Sequence, residues 1–173
     1  MKLYRAKIPV IAEEAIRTLT QDGDIEVLPE KREEAETDLV AIMDEYIRRD
    51  QEFRNQIKDH MAAENITYDQ YGRVRGRLAE ELRHPTGDDV ERFLTRQFIE
   101  NMMISPNVEE VFTEDRLMHR KIIGILRLHH VDEREIREEA ITKIKNVHEG
   151  TVDYEIALQD AMREVRKRRG LTR

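Results

Sequence analysis

The chain has no cysteine and no tryptophan, only four prolines and seven glycines, and a single serine, Ser105. Without cysteine there are no disulfides, no thiolate metal site and no thiol nucleophile, as expected of a protein kept in a reducing cytoplasm. Ser105 sits beside Pro106 with no G-x-S-x-G turn around it, so no serine-hydrolase elbow is expected. The glycines fit neither G-x-G-x-x-G nor the P-loop spacing, which removes the usual phosphate cradles. No run approaches 18 apolar residues, and residues 1–7 lead into mixed sequence rather than an apolar signal core. Neither a membrane span nor secretion is expected.

What remains is dominated by two classes of side chain. Of 173 residues, 39% are apolar and another 39% charged, while aromatics make up 5%. An average globular protein carries about 25% charged residues, so this balance points to long amphipathic helices. The four prolines, at 9, 29, 85 and 106, fall where periodic apolar patterns start or stop. The expected fold is all-α, an elongated bundle of about seven helices, with residues 1–86 and 87–173 as two helical arms meeting at a junction within one continuous unit.

A first helix follows from Pro9, with Val10, Ile11, Ala15, Ile16 and Leu19 as its stripe, and ends before Asp22-Gly23-Asp24. Ile25, Val27 and Leu28 alternate with acids enough for one short strand or a bare loop. A long second helix runs from Pro29 or Glu30 to Glu64 on Leu39, Met43, Tyr46, Phe53 and Ile57, with Asp50 and His60 on the same seam. Thr67 with Gln70, Asp88 with Glu91 and Asp132 with Glu135 have capping-box spacing and open the third, fourth and sixth helices. The third faces inward through Val74, Leu78 and Leu82, the fourth through Val90, Phe93, Leu94, Phe98 and Met102, and the sixth continues to Gly150. Thr113 is placed to cap the fifth helix. Its Leu117, Met118, Ile122, Ile123, Ile125, Leu126 and Leu128 cover most of its circumference and predict burial all round. The seventh helix, from Val152 to Arg169, turns Tyr154, Leu158, Ala161, Met162 and Val165 inward. A weak internal repeat sets Ile16 and Leu19 against Ile123 and Leu126.

Charge is segregated along the chain. Between Asp22 and Glu45 stand ten acids against Lys31 and Arg32 alone. Asp22, Asp24, Glu26 and Glu33 hit four calcium-loop positions, but Val27 occupies the place that demands glycine and Pro29 falls inside, so no calcium site is expected. Carboxylates are stabilised at a helix start by about 0.3 to 1 kcal/mol each, which alone accounts for much of the crowding. At the far end Arg163, Arg166, Lys167, Arg168, Arg169 and Arg173 face only Glu164, and Arg73, Arg75, Arg77 and Arg83 form a looser cluster. Such patches bind phosphates or simply complement a helix end; the C-terminal run has no interleaved aromatic for base stacking, and the net charge is −7. Glu81 and His84 make one Glu-x-x-His pair, where a di-iron bundle needs two pairs and two further glutamates.

Three segments carry a resemblance. They are Val131-Asp132-Glu133-Arg134-Glu135-Ile136-Arg137, Lys143-Ile144-Lys145-Asn146-Val147-His148-Glu149-Gly150-Thr151, and Val165-Arg166-Lys167-Arg168-Arg169-Gly170-Leu171. Together with the opening Ile-Pro-x-Ile-Ala helix and Gly23-Asp24-Ile25-Glu26-Val27, the chain resembles a bacterial family filed as domain of unknown function five hundred and seven. The resemblance covers the whole chain. It implies an elongated helical protein with acidic and basic ends, and brings no activity, substrate or catalytic residue.

The expected function is therefore non-catalytic: a cytoplasmic interaction or scaffold protein without metal or cofactor. Glu30, Glu33 and Glu34 are its expected acidic contact face, and Arg166, Lys167, Arg168 and Arg169 its basic one. An unidentified protein is the expected partner, or a second copy paired head to tail. The alternative is nucleic-acid binding through the basic helix ends.

Overall fold

The first helix, α1, spans Ile8–Gln21 with Pro9 in its opening turn, where a missing N–H costs nothing. The computed structural model describes residues 1–144 and 152–171. Among these, α1 is followed by α2 (Arg32–Ala63), α3 (Tyr71–Glu81), α4 (Asp89–Ile104), α5 (Asp115–Leu128), α6 (Glu133–Ile141) and α7 (Val152–Arg168). Two short strands, β1 (Ile25–Glu26) and β2 (Glu110–Val111), complete the described elements. The packing is all-α.

Four helices close a ring: α1 lies against α2 and α5, and α4 against α5 and α2. Their shared core holds Ile8, Ile11, Ala15, Ile16 and Leu19 of α1 with Leu39 and Met43 of α2, Leu94 and Phe98 of α4, and Met118, Ile122 and Leu126 of α5. β1 joins α1 to α2 and β2 joins α4 to α5, and the two pair antiparallel with Ile25 opposite Val111. Both helix-hairpin tips are thus clasped together at one end of the ring.

Two smaller apolar clusters extend this core. Because α2 is 32 residues long, about 48 Å at 1.5 Å per residue, its second half outruns the ring. There Phe53, Ile57 and Met61 pack with Val74 of α3. The other cluster joins Ile136 and Ala140 of α6 to Leu158, Met162 and Val165 of α7, together with Tyr4 and Leu171. Leu3 belongs to the ring's core and Tyr4 to the α6–α7 cluster, as side chains alternate along extended backbone.

Several expectations are corrected. Helix α5 is not buried all round: Leu117 is 46% and Leu128 75% exposed. Helix α1 is buried along one side, through Ile8, Ile11, Ala12, Ala15, Ile16 and Leu19. Val10 and Leu82, expected inside, are also largely exposed. Of the three capping boxes only Asp132 caps, accepting the Arg134 N–H at 2.8 Å from extended backbone. Asp88 adopts helical backbone, and the Tyr68–Gln70 turn precedes α3, so neither Asp88 nor Thr67 caps with its side chain. The Thr113 hydroxyl is spent on Asp24. Helix α6 stops at Ile141 and tightens, with the Lys143 and Ile144 N–H groups donating three residues back. The expected stop at Gly150 lies outside the described residues.

Candidate functional site

The clasped end of the ring gathers carboxylates. Asp24 is 4% exposed and receives the Lys121 ammonium at 2.6 Å and the Thr113 hydroxyl at 2.6 Å, while Asp22 takes the same ammonium at 2.7 Å. Burial works against the charged Asp24, but the bonds from Lys121 and Thr113 outweigh it and hold its carboxyl below the ordinary aspartate value. A second clamp ties α2 to the α4–α5 connection, where Asp38 accepts from Ser105 at 2.6 Å and from Asn107 at 3.0 Å. The lone serine is therefore a structural hydrogen-bond donor. Asp22 and Asp24, which fall on calcium-loop positions, share the single Lys121 ammonium.

Outside these clamps the carboxylates face solvent. Glu30, Glu33 and Glu34 at the start of α2 are exposed and make no ion pair among the described residues, and Glu26 and Glu110 of the strand pair and the adjoining Glu109 are exposed as well. Beside them stand large apolar side chains with no cover: Ile104 is 81%, Met103 60% and Phe112 57% exposed. Their neighbourhood is fixed by one backbone and one side-chain bond, since the Phe112 N–H donates to the Asp24 carbonyl at 2.9 Å and the hydroxyl of Ser105, next to Ile104, donates to Asp38.

The basic C-terminal run has different surroundings. Arg166 donates to Glu133 at 2.8 Å, Arg169 to Glu139 at 2.7 Å and to Glu135 at 3.4 Å, and Arg168 also pairs with Glu139. Lys2 shares Glu133 at 2.9 Å. Glu133 feels burial, but the bonds from Arg166 and Lys2 prevail and lower its carboxyl below the ordinary glutamate value. Three of the four expected contact cations are thus engaged with α6, and Lys167 alone stands exposed without a partner among the described residues. Arg173 lies outside them.

Uncompensated positive charge lies instead around α3. Arg73, Arg75 and Arg83 are exposed and make no ion pair among the described residues. Arg77 is taken up by His60 and Glu81. Arg83 also lines a cleft of about 330 Å³ with the half-buried Phe93 and with Asp89, Arg92 and Arg96 of α4, where Arg92 pairs with Asp89 at 3.3 Å and Arg96 with Glu100 at 3.8 Å. Beneath it His84 is buried, its ring stacked on Phe53 at 4.4 Å and its Nε2 3.3 Å from Asp50. Burial pushes the His84 pKa below the ordinary histidine value, with Asp50 opposing. Glu81 stays exposed on α3, so the Glu-x-x-His spacing does not converge on an ion; among the described residues no three such ligands cluster.

A family model described as protein of unknown function, DUF507, matches residues 1–171. The chain belongs to that family. No curated protein matches it. Among the described residues of this DUF507 chain, no helix is long and apolar enough to cross a membrane. The looser arginine cluster was visible in the DUF507 sequence. Its joining to Arg92 and Arg96 was not, because the α3–α4 connection creates that neighbourhood in three dimensions.

Proposed function

We propose that this DUF507 chain is a non-catalytic interaction protein that docks a cationic, apolar-bearing segment of a partner protein on the acidic end of its four-helix ring. One observation carries the reading: unpaired Glu30, Glu33 and Glu34 stand at the same end as exposed Met103, Ile104 and Phe112. Carboxylates there steer a basic partner and fix its register, while the apolar trio supplies the area whose burial holds it, at about 25 cal/mol per Å². The C-terminal run is the weaker contact face, because Arg166, Arg168 and Arg169 would have to leave the α6 carboxylates. Head-to-tail self-association carries the same penalty.

The test uses a labelled amphipathic peptide of alternating lysine and leucine pairs, followed by fluorescence anisotropy. Binding is expected to weaken in Glu30→Gln/Glu33→Gln/Glu34→Gln and separately in Ile104→Ser/Phe112→Ser, which leaves every charge in place. An equal loss in Glu138→Gln/Glu155→Gln/Glu164→Gln, which removes three exposed carboxylates elsewhere, would overturn the proposal.

A further inference from the structure

We infer that the outer face of α3 and the adjoining arginine cleft bind single-stranded nucleic acid. Tyr68 is 82% exposed and stacks on Tyr71 with ring centroids 5.5 Å apart and planes 26° off parallel. A ring that open contributes little to the core, but it offers a π-face on which a base can stack. Just beyond this pair the helix presents Arg73 and Arg75, with Arg83 at its far end, and none of the three has an ion-pair partner among the described residues. From Arg83 the surface continues into the cleft shared with Arg92, Arg96 and Phe93, where Asp89 also lies and pairs with Arg92 at 3.3 Å, so Arg83 is the cleft's unpaired cation.

The helix surface between the arginines is bare. Gly72 and Gly76 lie one turn apart on the side of α3 opposite buried Val74, and a Cβ at either would meet nothing within 4 Å. Packing does not require them, although each costs the helix roughly 1 kcal/mol relative to alanine. They leave the backbone open to close approach, with Arg73 on one flank and Arg75 on the other. Glu80 sits on the Arg73 flank, whereas Arg75 on the other lines a cleft against α2 with Asp50 and Arg54, and an anionic strand is directed along the Arg75 flank toward Arg83.

This combination favours an unpaired strand over a duplex. Phosphate contacts serve either form, but stacking on Tyr68 needs a base free of its partner. The negative charge of −7 is spread over the whole chain, and Glu64, Asp69, Glu80 and Glu81 stand near α3 itself, so the attraction rests on local placement of the arginines rather than on net charge. At low ionic strength a local basic track is felt over about a Debye length, some 10 Å at 0.1 M salt.

The deciding experiment is fluorescence anisotropy of a labelled oligothymidine of about 15 nucleotides, with wild-type protein at about 50 mM salt and then at rising salt. Binding is expected, falling with a log–log slope of about −2 to −3 for three to four neutralised phosphates. Tyr68→Ala, at a largely exposed ring, should weaken it about tenfold, and Arg73→Gln/Arg75→Gln/Arg83→Gln should weaken it further and flatten the slope. Arg134→Gln/Arg137→Gln/Lys143→Gln is the control of equal charge, with circular dichroism confirming that each variant is folded. No binding at low salt, a control that loses as much as the α3 variant, or a duplex bound as tightly and without regard to Tyr68, would each overturn the assignment.

Discussion

The Lys121 ammonium lies 2.6 Å from Asp24 and 2.7 Å from Asp22, so one cation on α5 holds both aspartates of the α1–α2 connection. Asp24 is buried, and removing its cation leaves a charge that water cannot reach. Lys121→Met is therefore expected to destabilise the fold at pH 7, read as a lower midpoint in chemical denaturation. The folded-state pKa of Asp24 lies below its unfolded value. Its contribution is thus complete above the ordinary aspartate value and is lost as pH falls through the folded one. In Lys121→Met this part of the acid sensitivity should disappear.

His84 works in the same sense by a different cause. Burial lowers its pKa, so on acidification the unfolded chain takes up a proton before the folded one does. Stability should be complete above the ordinary histidine value and decline below it, from near pH 6.5. Replacing His84 with Phe retains a ring against Phe53 and should flatten this stretch of the stability–pH curve. A curve that keeps its slope in the variant would assign the effect to another group.

Thr95 is fully buried in α4 and its hydroxyl has no hydrogen-bond partner among the described residues. Valine has nearly the same shape without the unsatisfied group. Thr95→Val is expected to add about 1 kcal/mol, which for a chain of this length raises Tm by roughly 2 to 4 °C. Calorimetry showing a lower Tm would mean that the hydroxyl has a partner in solution.

Arg83 ends α3 in the left-handed region at φ +50°, where its Cβ crowds the following carbonyl. Gly23 and Gly170 occupy the corresponding place after α1 and α7. Arg83→Gly should therefore raise stability by about 1 kcal/mol while weakening oligothymidine binding. Opposite signs in the two assays would separate the arginine's ligand role from any service to the fold.

The helical architecture was largely legible because it rests on local information. Pro9, Pro29, Pro85 and Pro106 punctuate it, and Leu39, Met43 and Tyr46 recur at helical spacing, all three buried. Features that depend on distant partners were not legible. Two-residue β2 has no periodicity of its own and exists because Ile25 lies opposite Val111. The C-terminal cations could be counted, yet the glutamates that neutralise Arg166 and Arg169 stand some thirty residues away on α6. Helix α5 misled because apolar residues around its circumference imply burial only when a neighbour exists for each face, and Leu128 has none.

Helix α2 contains neither glycine nor proline between Arg32 and Ala63, so it has no built-in hinge. It begins among the clasped carboxylates and ends against α3, making it a strut common to both surfaces. Glu33 and His60 are held about 40 Å apart along its axis. Two molecules seated at opposite ends of this strut would be kept at a set separation, as by a gauge.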